Sequence, residues 1–437
     1  MPHTSGHEAQ LTIIGTGIAG LAAAIFAAQQ GIDAALIEAS GSGASDFSSG
    51  LLDLCGPIPS GSKGEQTNPW QAISSLIRSE PNHPYAQIEQ TDIAAAFNQC
   101  LSALDRAGLS YHGQEQSNCE AITPAGTTKQ TYRIPASMLA GPEALAENAP
   151  CLLIDFHGLK DFSGAMIRAV LHDRWPNLRQ ARIAFPGNEG RSELFTGLLA
   201  RSLDAPPGVE RLAEAVRPLL GESQFLGFPA VLGVNRTDRI VAELEDRLGV
   251  RVFEIPTLPP AVPGTRFREA CQRILSGSTV RTLTCQWLRL LGSAPGSYTL
   301  GLEQQERSLQ LRTGAIILAS GRFLGQGLVA DRTAVRESIF DLPVHQPESR
   351  QGWHRQDLFD PKGHPINTAG LEVDHLFRPV DSSGHAVFEG LFACGSILAH
   401  QDWMRSQCGA GLSLSTAYRA VAASLGQAQP SPGGLSG

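Results

Sequence analysis

Three glycines near the start of the chain constrain its fold more than any other feature. Gly15, Gly17 and Gly20 follow the apolar run LTII and open an alanine-rich stretch. In a dinucleotide-binding turn, the first glycine permits a tight turn, the second lets the backbone approach a pyrophosphate, and the third lets the helix pack on the strand. The helix N-terminus faces the phosphates, so Ile18 and Ala19 belong to the same predicted site.

A carboxylate and a glycine-serine loop extend this site. Glu38 ends the next apolar run, at about the separation where an acidic side chain accepts hydrogen bonds from the adenosine ribose. An acidic residue at this position therefore indicates a cofactor that contains an adenosine ribose. The loop after it carries Ser48, Ser49 and Gly50, at the place where related flavoproteins contact the phosphates of the cofactor.

Two later glycine turns indicate a flavin rather than NAD. AIILASG contains Ser320 and Gly321, and LFACGS contains Gly395 and Ser396. The order of the three turns resembles that of two-domain flavoproteins, whose last turn touches the ribityl phosphate. Ser396 stands where those proteins usually have Asp, so a hydroxyl replaces the usual carboxylate.

The last predicted helix begins near a further glycine pair and completes the predicted cofactor-binding set. If it packs as in related flavoproteins, its positive end points at the pyrimidine side of the isoalloxazine. There it stabilises the anionic reduced flavin by up to about 1–2 kcal/mol. The residues involved are Gly409, Ala410, Gly411 and Leu412.

The length of 437 residues and the order of apolar runs predict an α/β protein of two interleaved domains. One is a Rossmann-like flavin-binding domain, a parallel sheet with an antiparallel meander, formed by residues 1–60 and 263–426. The other is an inserted second α/β domain, residues 61–262. Residues 427–437 are predicted to be a disordered tail. The prolines between Val252 and Phe267 predict an extended loop there.

Composition excludes several other classes of protein. The formal net charge of −8 argues against a nucleic-acid surface. The longest small-apolar run, Ile18–Ala28, is far shorter than the roughly 20 residues of a membrane-spanning helix. The N-terminus has neither the basic nor the apolar region of a secretion signal. The eight cysteines form no C-x-x-C pair. We therefore expect no metal site, no nucleic-acid partner and no transmembrane segment of its own.

Several segments, in collinear order over nearly the whole chain, resemble the B subunit of anaerobic glycerol-3-phosphate dehydrogenase. They include FSSGLLDLCG from Phe47, HPY from His83, PTLPP from Pro256, LASGRFLGQGLVADR from Leu318 and QCGAG from Gln407. FSSGLLDL and PTLPP are specific to that family, whereas the first glycine turn is not.

The resemblance implies a flavin-containing subunit of an enzyme that oxidises sn-glycerol 3-phosphate to dihydroxyacetone phosphate and passes the electrons to a quinone. It implies two partner subunits. The A subunit is FAD-dependent and catalytic, and the C subunit is an iron–sulfur protein that anchors the complex to the membrane. The protein is then cytoplasmic and attached to the inner membrane through the complex. The family is described as carrying FMN on the B subunit, whereas Glu38 favours FAD, and both remain open.

The sequence does not assign the catalytic residues. Oxidation of a secondary alcohol needs a base, a hydride path to the flavin, and cations for the phosphate. Arginine offers bidentate contacts to phosphate, which makes Arg266, Arg322 and Arg378 candidates. The candidate bases are His83, His157, His354 and His375.

Two other functions remain open. One is a stand-alone flavin oxidoreductase of the fumarate-reductase kind that acts on another small anion. The other is a non-catalytic protein that keeps the fold and docks the catalytic partner to the membrane-anchoring one.

Overall fold

The computed structural model describes residues 6–39, 45, 48–57, 67–304 and 307–427. Its strands are β1 Gly6–Ile14, β2 Ala34–Ala39, β3 Tyr111–His112, β4 Cys119–Ile122, β5 Thr128–Thr131, β6 Ile134–Pro135, β7 Cys151–Phe156, β8 Leu178–Ile183, β9 Phe225–Pro229, β10 Arg251–Ile255, β11 Val280–Cys285, β12 Trp287–Ala294, β13 Ser297–Gln304, β14 Arg307–Leu318, β15 Leu328–Ala330, β16 Val335–Glu337 and β17 Leu391–Ala393.

The α-helices are α1 Ile18–Gln29, α2 Pro69–Ser79, α3 Gln90–Arg106, α4 Ala140–Ala146, α5 Gly164–Leu171, α6 Thr196–Leu203, α7 Gly208–Val216, α8 Thr237–Leu248, α9 Val262–Leu275 and α10 Gly409–Gln427. Among the described residues, none of these helices is long and apolar enough to cross a bilayer.

The larger sheet combines a parallel half with an antiparallel half. Its strand order is β11-β2-β1-β14-β13-β12, and β17 pairs with the last residues of β14. The strands β11, β2, β1, β14 and β17 run parallel, whereas β12, β13 and β14 form an antiparallel meander. Helix α1 is buried against this sheet and packs on α10, where the rings of Phe26 and Tyr418 lie 5.5 Å apart.

The smaller sheet has four parallel strands in the order β10-β9-β7-β8. All six residues of β7 and all five of β9 are buried, as expected for central strands covered by helices on both faces. The two sheets confirm the predicted fold class, a flavoprotein-like α/β sheet with a meander and a second α/β unit.

The first predicted domain boundary, after residue 60, does not agree with how the helices pack. Helices α2 and α3 contribute Trp70 and Phe97 to the core of the larger sheet. The core of the smaller sheet begins at Ile122 and ends at Ile255. A first boundary nearer Ile122 than residue 61 therefore fits the packing better, and the boundaries remain a proposal.

Three local predictions differ from the structure. The proline-rich stretch is a loop only from residue 256 to 261, because Pro263 stands in the first turn of α9, where proline is tolerated. The apolar run PAVLGV predicts a strand that starts at Pro229, but β9 ends at Pro229 and comprises the residues before it. The alternation of apolar and polar residues from Thr279 to Leu318 predicts a meander that includes β11, but β11 pairs in parallel with β2, which is distant in sequence.

Candidate functional site

The predicted glycine turns meet at one edge of the larger sheet. The turns follow the carboxyl ends of β1, β14 and β17, which are neighbours in the order β1-β14-β17. The Ala319 N–H donates to Ile14 O at 2.9 Å. A Cβ atom built on Gly395 would lie 2.5 Å from the Ala19 Cβ. Residues that are hundreds of positions apart in sequence thus form one edge, where ligands of open α/β sheets bind.

Two glycines of the first turn are required by packing. Gly15 has a φ of +114°, and a Cβ atom on it would lie 2.4 Å from Ala319 O. A Cβ atom on Gly20 would lie 1.8 Å from Gly15 O. Neither position therefore accepts a larger residue without a shift of the backbone.

Gly17 is different, because nothing lies within 4 Å of a Cβ atom built on it. Its backbone is extended, with φ −69° and ψ −179°, and it is the N-cap of α1 without a side-chain cap. The Leu21 N–H donates to Gly17 O at 2.9 Å, so the amides of residues 18–20 have no acceptor within the helix. Open space before these amides fits the pyrophosphate of a dinucleotide.

Glu38 lies beside this turn. It is half-buried near the end of β2, and the neighbouring Ile37 O accepts from the Gly15 N–H at 3.0 Å. The position fits the ribose contact expected from the sequence.

The loop of Ser48, Ser49 and Gly50 leads toward the N-terminus of α10. Both serines are half-buried, and their hydroxyls accept locally from the amides of Gly50 and Leu51 at 3.4 Å. Their contact with a cofactor remains a proposal.

The ASG and ACGS turns face one another. Gly321 has a φ of +71°, and its Cβ position lies 3.6 Å from the Ser396 Oγ. The Ser320 hydroxyl is buried and has no hydrogen-bond partner among the described residues. A bound ligand is one way to satisfy such a group.

The predicted glycines of the last helix lie inside its first turn rather than before it. The Gly411 N–H donates to Asp53 O, and the Leu412 N–H donates to Cys408 O, both at 2.8 Å. These two amides are engaged within the protein. Gly409 and Ala410 therefore carry the proposed role of this helix end toward a flavin.

His83 is buried in the loop that packs under α10. Burial and the neighbouring His400 lower the pKa of His83 to about 4. Its Nδ1 accepts from the Tyr85 N–H at 3.2 Å, so the neutral ring carries its proton on Nε2. That Nε2 has no partner among the described residues. His83 is thus a neutral donor rather than a base.

Arg266 does not lie in a loop and is not available to a phosphate. It is on α9, and its guanidinium makes a bidentate pair with Glu254 at 2.6 and 2.8 Å. Its Nε donates to Gly233 O at 2.9 Å, and both charged side chains are almost fully buried. The sequence prediction failed here because the paired carboxylate belongs to β10, before the prolines.

The remaining catalytic candidates separate into paired and exposed residues. Arg378 pairs with Asp374 at 2.6 Å. Three candidate bases are exposed, and no described contact joins them to the glycine turns; these are His157, His354 and His375.

Arg322 is the arginine that stays a candidate. It follows the ASG turn, donates to the carbonyls of Ile366 and Asn367, and has a buried Nε without a partner among the described residues. Burial lowers the pKa of Arg322. The carboxylate of Asp402 acts on its charge without forming an ion pair with it, so an anionic ligand can supply a closer counter-charge.

One cluster has no counterpart among the sequence predictions. His345, Glu372 and His400 come together from three separate loops. No spacing motif joins them, because the contact depends on how the loops cross.

Known families and curated proteins resemble the chain over nearly its whole length. Residues 11–412 match the family model described as FAD binding domain. The anaerobic glycerol-3-phosphate dehydrogenase B subunit of Pectobacterium atrosepticum is 32% identical over 431 residues, which cover 96% of this chain and 99% of that protein. The probable B subunit of Halobacterium salinarum is 31% identical over 94% of this chain and 97% of its own length.

A crystal structure of 3-ketosteroid delta1-dehydrogenase from Sterolibacterium denitrificans overlaps 96% of this chain and 100% of its own. The TM-score is 0.42 and the identity 12%. A likeness of that size carries no argument about function.

Proposed function

The chain belongs to the FAD-binding-domain family and to the family of anaerobic glycerol-3-phosphate dehydrogenase B subunits, and on that premise we propose that it serves the oxidation of glycerol 3-phosphate. It is a flavin-dependent oxidoreductase subunit. A bound flavin supplies the two-electron acceptor that an alcohol oxidation needs. Dihydroxyacetone phosphate is the product, and the electrons continue to a quinone through partner subunits.

The open space before Gly17 carries this proposal. The amides at the start of α1 hold the pyrophosphate, and Glu38 holds the adenosine ribose. Ser320 and Ser396 hold the ribityl chain from the facing turns. The N-terminus of α10 places a positive helix end near the isoalloxazine.

Arg322 holds the phosphate of the substrate in this proposal. Its support is a half-buried guanidinium that donates to two carbonyls and whose buried Nε has no partner among the described residues. Arginine binds phosphate with its planar fork, and a buried charge requires a counter-charge.

Gly17→Ala is expected to leave the flavin-free protein folded and to weaken flavin binding by roughly tenfold or more. The added methyl meets no protein atom, so the free energy of unfolding should change by no more than about 1 kcal/mol, the cost of replacing a glycine N-cap by alanine. It fills the space where the backbone must approach the pyrophosphate. Absorbance titration of the stripped protein with FAD measures the affinity. Gly197→Ala, which also meets no atom, is the matched control. Unchanged FAD affinity would contradict the proposed site.

Glu38→Ala is expected to distinguish the two flavins. Loss of the ribose hydrogen bonds costs about 1–2 kcal/mol, or roughly a tenfold loss of FAD affinity. FMN affinity should stay the same, because FMN has no adenosine ribose. Chromatography of the released cofactor identifies which flavin is bound. An equal loss of both affinities would be incompatible with the role given to Glu38.

Exposed apolar side chains beside the site mark where we propose that the partner subunits dock. They lie on three loops that Arg322, Asn367 and Asp402 tie together. A group of exposed apolar side chains is typical of a protein interface, and the relatives are named as one subunit of several. The side chains are Phe323, Leu324, Leu358, Phe359, Trp403 and Met404.

Leu358→Ser combined with Phe359→Ser is expected to lower co-purification with the partner subunits by at least about fivefold, since about 1 kcal/mol or more is lost. Trp287→Ser, an exposed apolar residue on the far strand of the meander, is the control. Normal assembly of the double variant would place the docking surface elsewhere.

The proposal also includes attachment to the inner membrane through an iron–sulfur partner.

A further inference from the structure

Two histidines and a glutamate from the stretch of sequence between β16 and α10 lie close together in space. The His400 Nε2 lies 2.7 Å from the Glu372 Oε1, and the His345 Nδ1 lies 3.5 Å from the same oxygen. The ligand atoms of the three residues all lie within 4.8 Å of one another. The two imidazole rings are 4.2 Å apart between centroids.

Short backbone pairings hold the three segments in place. The His345 N–H donates to Gly370 O at 2.8 Å, and the Gly370 N–H donates back at 3.1 Å. The His400 N–H donates to Thr368 O at 2.9 Å. Both histidines are therefore fixed against the segment that carries Glu372. A geometry fixed by the backbone suits a preorganised binding site.

Hydrogen bonds within the cluster join His400 to Glu372 but leave out His345. His400 donates to the carboxylate, but the His345 Nδ1 is too far for a normal hydrogen bond. A shared cation would satisfy both imidazoles and the carboxylate at once.

We propose that His345, Glu372 and His400 form a binding site for a divalent transition-metal ion of the Zn²⁺ class. Two imidazole nitrogens and a carboxylate oxygen make a three-residue ligand set that leaves a fourth position for water or another ligand. The three side chains are 39, 45 and 22% exposed, so an ion can enter from solvent. Glu372 is the most exposed of the three, so its side chain can adjust when an ion binds.

The cysteines do not offer a competing site. All eight are free thiols. Among the described residues, the group of three side chains close enough to hold one metal ion contains no cysteine. A tightly bound ion would therefore indicate the histidine cluster, a site that the cysteine spacing in the sequence does not predict.

The site adjoins the proposed flavin site without being part of it. Gln401, next to His400, donates to Ser396 O at 2.9 Å. The three ligand side chains do not belong to the proposed flavin site, so metal binding is tested independently of flavin binding.

The test is Zn²⁺ binding by the full chain after treatment with a chelator and removal of flavin. Competition with a chromophoric chelator should give one tight site per chain. His345→Ala and His400→Ala should each weaken it by at least about tenfold. His172→Ala, at an exposed histidine after α5, should bind as the unchanged chain does.

If a histidine variant does not fold, Glu372→Gln still tests the proposal, because Glu372 is half-exposed and glutamine has nearly the same shape. Co²⁺ as a spectroscopic probe should give visible absorption bands in the unchanged chain and weaker, shifted bands in Glu372→Gln. Absence of a tight site in the unchanged chain would overturn the proposal. Equal Zn²⁺ affinity of all the variants would overturn it as well.

Discussion

Arg266→Ala is expected to destabilise the chain by about 3–5 kcal/mol, the usual effect of removing one partner of a buried ion pair. Glu254 would remain buried without its two charged hydrogen bonds at 2.6 and 2.8 Å. Its remaining described partner is the Leu232 N–H, at 2.7 Å. The pair also joins α9 to β10, so the loss affects both the larger and the smaller sheet.

Urea unfolding followed by circular dichroism measures this effect. The double variant Arg266→Met with Glu254→Leu should recover most of the lost stability, because no charge is then left buried alone. Arg174→Ala breaks an exposed pair with Glu120 and should cost no more than about 1 kcal/mol. If Arg266→Ala were as stable as Arg174→Ala, the structural role of the buried pair would be wrong.

Gly20→Ala is expected to abolish flavin binding and to destabilise the protein by roughly 3 kcal/mol or more. The new methyl would lie 1.8 Å from Gly15 O, so the turn must open or α1 must move away from β1. Gly17→Ala, three residues earlier, should lose binding while keeping stability. The contrast separates the packing of the turn from its contact with the cofactor.

Thermal unfolding of the flavin-free proteins gives the comparison directly. Gly20→Ala should unfold several degrees below the unchanged chain, and Gly17→Ala within about one degree of it. Equal melting temperatures for the two variants would mean that the close approach of Gly20 to Gly15 O is not maintained in solution.

The parts of the fold that depend on local pattern could be predicted from the sequence. Strand β1, the glycine turn and α1 follow from apolar runs, glycine spacing and alanine content within one short stretch. Gly31 has a left-handed φ of +69° shortly after the end of α1, where a glycine in the sequence is a typical helix terminator. The break between α2 and α3 follows from the prolines around His83.

The parts that depend on distant residues could not be predicted. Nothing near Arg266 in the sequence indicates Glu254 as its buried partner, and the prolines hid the start of α9. The parallel pairing of β11 with β2 joins segments at opposite ends of the smaller-sheet region. The cluster around Glu372 likewise depends on three loops crossing, which no local pattern encodes.

The order of strands in the larger sheet has a consequence for biosynthesis. Strand β1 is synthesised long before its neighbour β14 and the adjoining β17. The turn at Gly15 cannot close against Ala319, nor Gly395 against Ala19, until nearly the whole chain has been synthesised. Long-range pairings of this kind form slowly. We therefore expect flavin to bind at the proposed site only after nearly the whole chain has been synthesised, and we expect a chain that lacks α10 to have an incomplete site.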